Sequence, residues 1–150
     1  MRALLIAAGI GLLACAPPSS AQSLAGISLG DSQAKVEAAI PDSTALPVNK
    51  DPGHLMIYGG DLMAWVCKDK VYSIHRQGDA TLTDYLALVK KETATRGEPK
   101  VYSSIDDGAR KGESQLVSKW TGKSELLIAL LYDGKKHQVM TSLTRNSSCQ

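Results

Sequence analysis

The stretch Gly26-Ile27-Ser28-Leu29-Gly30-Asp31-Ser32-Gln33-Ala34-Lys35-Val36-Glu37-Ala38-Ala39-Ile40-Pro41 decides how the chain is read. Gly30-Asp31-Ser32 is turn chemistry, and Ser32 is placed to cap a helix by accepting from a free backbone N–H one turn on. Val36, Ala39 and Ile40 recur at i, i+3 and i+4, which gives a short helix one apolar face. Pro41 cannot continue that helix and biases Ile40 away from helical geometry. About two turns of helix are not stable alone, so the segment must lie on strands supplied from downstream.

The run Gly30-Asp31-Ser32-Gln33-Ala34-Lys35-Val36 resembles the Gly-x-Ser/Thr-x-x-x-Val opening of small exported bacterial proteins. These include the small lipoprotein of the outer-membrane barrel-assembly machinery and proteins with the beta-lactamase-inhibitor-protein fold. The resemblance implies a helix packed on an antiparallel sheet. It carries no functional residue over to this chain.

Upstream, residues 1–21 read as a secretory signal. Arg2 supplies positive charge, Ala3 to Ala14 is unbroken and apolar, and Pro17-Pro18 ends the run. Small residues at Ser19-Ser20-Ala21 predict cleavage before Gln22. A rival event is open at the same place, because Leu12-Leu13-Ala14-Cys15 resembles a bacterial lipobox. Lipidation of Cys15 would leave a short tether and would be the one reason to expect membrane attachment. Either event puts the mature domain, residues 22–150, in the periplasm or outside the cell. The alternative to soluble release is an outer-membrane lipoprotein facing the periplasm.

Cys67 and Cys149 remain, an even pair in an oxidising compartment, and a structural disulfide is the expectation. A Cys67 nucleophile would need an exposed, electropositive setting, whereas Cys67 follows Trp65-Val66 in an apolar run.

Downstream of Pro41, Ser43 to Gly53 holds Pro47, Asp51, Pro52 and Gly53 and reads as a loop. His54 to Arg76 reads as a three-strand meander with turns at Gly59-Gly60-Asp61 and Lys68-Asp69-Lys70. Thr81 to Arg96 is the clearest helix, opened by Thr81 with Asp84 three residues on and closed by Gly97 and Pro99. Leu82, Tyr85, Leu86, Val89 and Thr93 form its predicted buried stripe. Lys100 to Ser104 reads as a short strand. A second meander runs from Gln115 to Thr144, with Asp133-Gly134 a two-residue hairpin signal.

The expected fold is therefore α+β and two-layered, with two helices on one face of a mainly antiparallel sheet. The spans Ile40 to Trp65 and Arg96 to Trp120 are nearly equal, which leaves open a duplicated helix-plus-meander unit.

Composition narrows the function classes. The chain has 150 residues, a formal net charge of +2 and no Phe. Losing Arg2 with the signal lowers that charge to +1. Nucleic-acid binding would need a clustered basic face, and the Lys90-Lys91, Arg110-Lys111 and Lys135-Lys136 pairs are balanced by intervening acids. Gly122-Lys123-Ser124 lacks the upstream Gly of a phosphate loop and precedes a strand. His54, His75 and His137 have no zinc-ligand spacing, and no Gly-x-Ser-x-Gly elbow is present. No catalytic, cofactor or metal residue is expected.

The reading is a non-catalytic exported binding or envelope-assembly module whose partner is a protein of the cell envelope. The alternatives are a secreted enzyme inhibitor, as the resemblance implies, and a small hydrolase with a spatially assembled site. Aromatic residues on an open sheet face anchor protein interfaces, so Trp65 and Trp120 are the candidate contact residues.

Overall fold

The computed structural model of the protein describes residues 23–106 and 113–145. The segment read as a secretory signal, with Cys15 and the expected cleavage before Gln22, lies outside the described residues, and so does Cys149.

A small hairpin comes first, β1 (Ser23–Leu24) paired with β2 (Ile27–Ser28). Ala25 and Gly26 turn it, both with positive φ (53° and 83°). This is the handedness that a two-residue hairpin turn demands.

Helix α1 (Gln33–Ala39) begins as its sequence dictates. The Ser32 hydroxyl accepts from the Lys35 N–H, and Ile40 is already extended ahead of Pro41. The helix end is tied to the sheet by backbone. Gly30 N–H donates to the Val71 carbonyl at 2.8 Å, and Val71 N–H donates back to the Asp31 carbonyl at 2.9 Å. Gln33 N–H, a donor that a helix leaves unsatisfied, donates to Asp69 Oδ1 at 2.9 Å.

Eight strands follow, interrupted by one helix. They are β3 (Thr44–Val48), β4 (Asp51–Gly59), β5 (Leu62–Cys67) and β6 (Lys70–Asp79), then α2 (Leu82–Arg96), then β7 (Lys100–Asp106), β8 (Glu113–Trp120), β9 (Glu125–Tyr132) and β10 (His137–Thr144). All eight form a single antiparallel sheet in the order β3-β4-β5-β6-β10-β9-β8-β7. Each meander thus contributes its last strand to the centre and its first strand to an edge.

Ile57, Ala64, Ile74, Leu143, Leu126 and Trp120 stand opposite one another in a single register row across six strands. All six are buried. Ile27, Leu29, Val36, Ile40 and Tyr85 join that cluster from the hairpin and the helices.

The two-layer expectation is corrected here. The molecule is mostly antiparallel sheet and only partly α+β, and its helices do not form a layer on one face. Helix α1 fully buries Val36 alone, and α2 fully buries Tyr85 alone. Seven residues and one side chain cannot cover half of an eight-strand sheet. The predicted stripe of α2 is also turned. Leu82 and Leu86 are 50% and 53% exposed, while Tyr85, Leu88 and Val89 face the core.

Two local readings change as well. The segment read as a loop contains β3, because Asn49 and Lys50 both adopt positive φ and turn a hairpin, and Pro47 is tolerated on an edge strand. Between β9 and β10 the connection spans four residues rather than two, since Tyr132 pairs with His137. Asp133 Oδ1 fixes that turn by accepting from the N–H groups of Lys135 and Lys136.

Candidate recognition face

Strand alternation divides the sheet into the core side and a second side that carries Met56, Tyr58, Met63, Trp65, Ser73, His75, Ser142 and Met140. The row Tyr58, Met63, His75, Ser142, Leu127, Lys119 crosses six strands on that second side. Tyr58 is exposed, and Met63, Trp65, His75 and Met140 are half-buried. Together with Gln77 and Gln138 they line an open cleft of about 500 Å³. Two methionines and two aromatic rings give an adaptable apolar surface, and the two glutamines give it polar edges.

His75 organises the middle of this face. Its ring lies 4.4 Å from that of Trp65. Its Nε2 is 2.9 Å from Ser73 Oγ and 3.4 Å from Ser142 Oγ, and Ser73 Oγ is 2.7 Å from Thr144 Oγ1. Burial pulls the imidazole below its ordinary value of 6.5. The ring is therefore neutral at neutral pH, and Nε2 takes a donor or acceptor role according to its tautomer.

A serine hydroxyl beside an imidazole is also the geometry of a nucleophile and its base. Ser73 is only 4% exposed, however, and its Oγ is shared with Thr144. That arrangement locks two central strands together and leaves little room for a substrate carbonyl.

The structure separates the two candidate tryptophans. Trp65 sits on the open face. Trp120 is 5% exposed, and its Nε1–H donates to the Gly97 carbonyl at 2.7 Å, tying β8 to the end of α2. Cys67, the third residue singled out, is buried at the end of β5.

The three histidines do not converge. His54 Nε2 lies 2.6 Å from the Tyr72 hydroxyl, and His137 stacks at 4.8 Å on Tyr132. Among the described residues no group of three His, Cys, Asp or Glu could hold a metal ion. Gly122-Lys123-Ser124 leads into β9 and not into a helix. No helix among the described residues is long and apolar enough to cross a membrane.

A second groove, about 630 Å³, runs between α2, the first hairpin and the core side of the sheet. Leu24, Leu88, Val139 and Thr141 line it, with Arg76, Asp79, Glu92 and Arg96 at its rim. Those charges are satisfied internally. Arg76 pairs with Asp61 at 2.7 Å, Arg96 with Glu92 at 2.8 Å, and Lys136 with Asp79 at 2.7 Å. The groove therefore presents no net charge to attract a ligand.

The sequence points to Trp65 and gives His75 no role beyond the absence of zinc-ligand spacing. Ser73 and His75 are two apart, so a strand puts them on one face. Their partners Ser142 and Thr144 come from about seventy residues away, and no local pattern marks them.

Comparison of the chain with family models, with curated proteins and with solved structures finds no match in any of the three.

Proposed function

We propose that the protein is a non-catalytic exported module that binds a protein of the cell envelope through the sheet face around Trp65. One observation carries the reading: Tyr58, Met63, Trp65 and Met140 lie together on the side of the sheet that neither helix covers. Apolar and aromatic side chains so grouped gain free energy when a partner removes them from water. The His75 ring packs 4.4 Å from that of Trp65, and a side chain already packed before binding has less ordering cost to meet.

The test begins with capture of a partner from envelope extract and measurement of its affinity for the purified protein. Trp65→Ala should weaken binding by about 2 kcal/mol or more with the fold intact. Leu88→Ala, in the groove on the other side, should leave affinity within about 0.5 kcal/mol. Equal affinity of the Trp65 variant and the parent would sink the proposal. An affinity that depends on Leu88 would move the site to the groove.

A further inference from the structure

The chain has four methionines, and the three after Met1 all stand on the open side of the sheet. Met63 and Met140 line the cleft beside Trp65, together with His75. Strand pairing sets how close these three come. Met63 on β5 stands directly opposite His75 on β6. Met140 on β10 stands opposite Gln77, one diagonal step from His75. Directly opposed residues have Cβ atoms about 4.5–5.5 Å apart, and diagonal neighbours about 7–8 Å, within reach of long side chains. The two thioethers therefore flank the imidazole from either side of β6.

One ring nitrogen of His75 is engaged and the other is not. Nε2 lies 2.9 Å from Ser73 Oγ, which lies 2.7 Å from Thr144 Oγ1. With the proton on Nε2, the ring donates to Ser73, Ser73 donates to Thr144, and the Nδ1 lone pair is left for another ligand. Among the described residues Nδ1 has no hydrogen-bond partner. A metal-bound histidine is oriented in this way, by a bond from its other ring nitrogen. Trp65, whose ring is 4.4 Å from the imidazole, borders the same cleft, and an indole face attracts a cation. A hard cation finds no oxygen cage here. Asp61, the carboxylate on the described lining, is paired with Arg76 at 2.7 Å. The Gln138 side-chain carbonyl accepts from the Gln77 amide at 2.7 Å.

We propose that Met63, Met140 and His75 form a binding site for a soft monovalent cation, Cu(I) or Ag(I). Thioether sulfur and imidazole nitrogen suit such an ion. Magnesium and calcium take oxygen ligands, and zinc favours thiolate, imidazole and carboxylate. Ser73 and Thr144 are positioning residues behind His75, and Trp65 walls the site. The site shares a face with the proposed protein contact but does not rest on it. The ion needs sulfur, whereas the protein contact needs only apolar surface.

Titration of the purified, non-reduced protein with silver nitrate in chloride-free buffer tests the site, read by intact-complex mass and by tryptophan fluorescence. One Ag(I) per chain should bind and quench the fluorescence, and the quench should vanish in Trp65→Phe. Cu(I), kept reduced under anaerobic conditions, should displace the silver, and Zn(II) should not. Loss of an outer-shell partner of a metal ligand costs about 10–100-fold in affinity. Loss of a ligand itself should cost at least as much, so Met63→Leu, Met140→Leu and His75→Gln should each weaken Ag(I) binding by about tenfold or more. Leucine nearly conserves the volume of methionine and removes the sulfur, so both leucine variants should keep the fold. Met56→Leu, on the same face but outside the lining of the cleft, should leave the affinity unchanged. Affinity for a captured protein partner should survive the two leucine changes, so a failure to bind Ag(I) overturns this site and leaves the protein contact standing. Binding indifferent to all three ligand changes, as attachment to thiols would be, or displacement of the silver by Zn(II) also overturns the assignment.

Discussion

The Tyr85 hydroxyl lies 2.7 Å from Ser118 Oγ, and each residue is only 1% exposed. This bond is where α2 meets β8. Tyr85→Phe keeps the ring in the core but leaves the Ser118 hydroxyl buried without its partner. It should cost about 1–3 kcal/mol in denaturant unfolding. Leu86→Ala, one position along on the exposed flank, should change stability by less than about 0.5 kcal/mol. The reverse ranking would mean that α2 docks through the other side of its surface.

Gly59 marks the seat of α1. A Cβ there would lie 2.6 Å from Ile40 Cγ2 and 3.2 Å from the Pro41 carbonyl oxygen. Ile40 is 2% exposed and has no slack. Gly59→Ala should therefore destabilise by about 1–3 kcal/mol through overpacking. A neutral result would show that the Ile40–Pro41 segment shifts freely.

His75 gives the protein an acid limit. Its folded value lies below 6.5 because burial disfavours the imidazolium. Above the unfolded value both states carry neutral imidazole, and the stability from this site is fully present. As pH falls through 6.5 the unfolded state takes the proton first, so stability drops until the depressed folded value is passed. Urea midpoints between about pH 8 and pH 5 should fall towards acid, and His75→Gln should flatten that slope. Equal slopes in parent and variant would assign the acid sensitivity to another group.

A Cys67–Cys149 disulfide is the expected pairing of these two thiols. It would close a long loop, for which the chain-entropy model gives about 4–5 kcal/mol less any strain. Native protein should show no titratable thiol at either position, and replacing both with Ser should lower the melting temperature. Two free thiols under non-reducing conditions would refute the pairing.

What the sequence determined by itself is the set of interactions closed within one turn or one hairpin. Ser32 caps α1, and Pro41 follows its end. Thr81 and Asp84 form a reciprocal capping box at the start of α2, and Gly97 ends it with φ of 76°. Each depends on residues three or four apart, so local chemistry suffices. Tertiary structure decided the rest. Only the pairing of β6 with β10 brings Ser142 and Thr144 to Ser73 and His75. Only the position of α2 over β8 and β9 buries Tyr85 and leaves Leu86 in water. Trp65 and Trp120 each stand in a segment that reads as a strand, and nothing local tells them apart. Their fates diverge because register places one on the open face and the other beneath the C-terminal end of α2. Such contacts join residues tens of positions apart. Their free energy depends on which strands become neighbours, and the local pattern does not encode that choice.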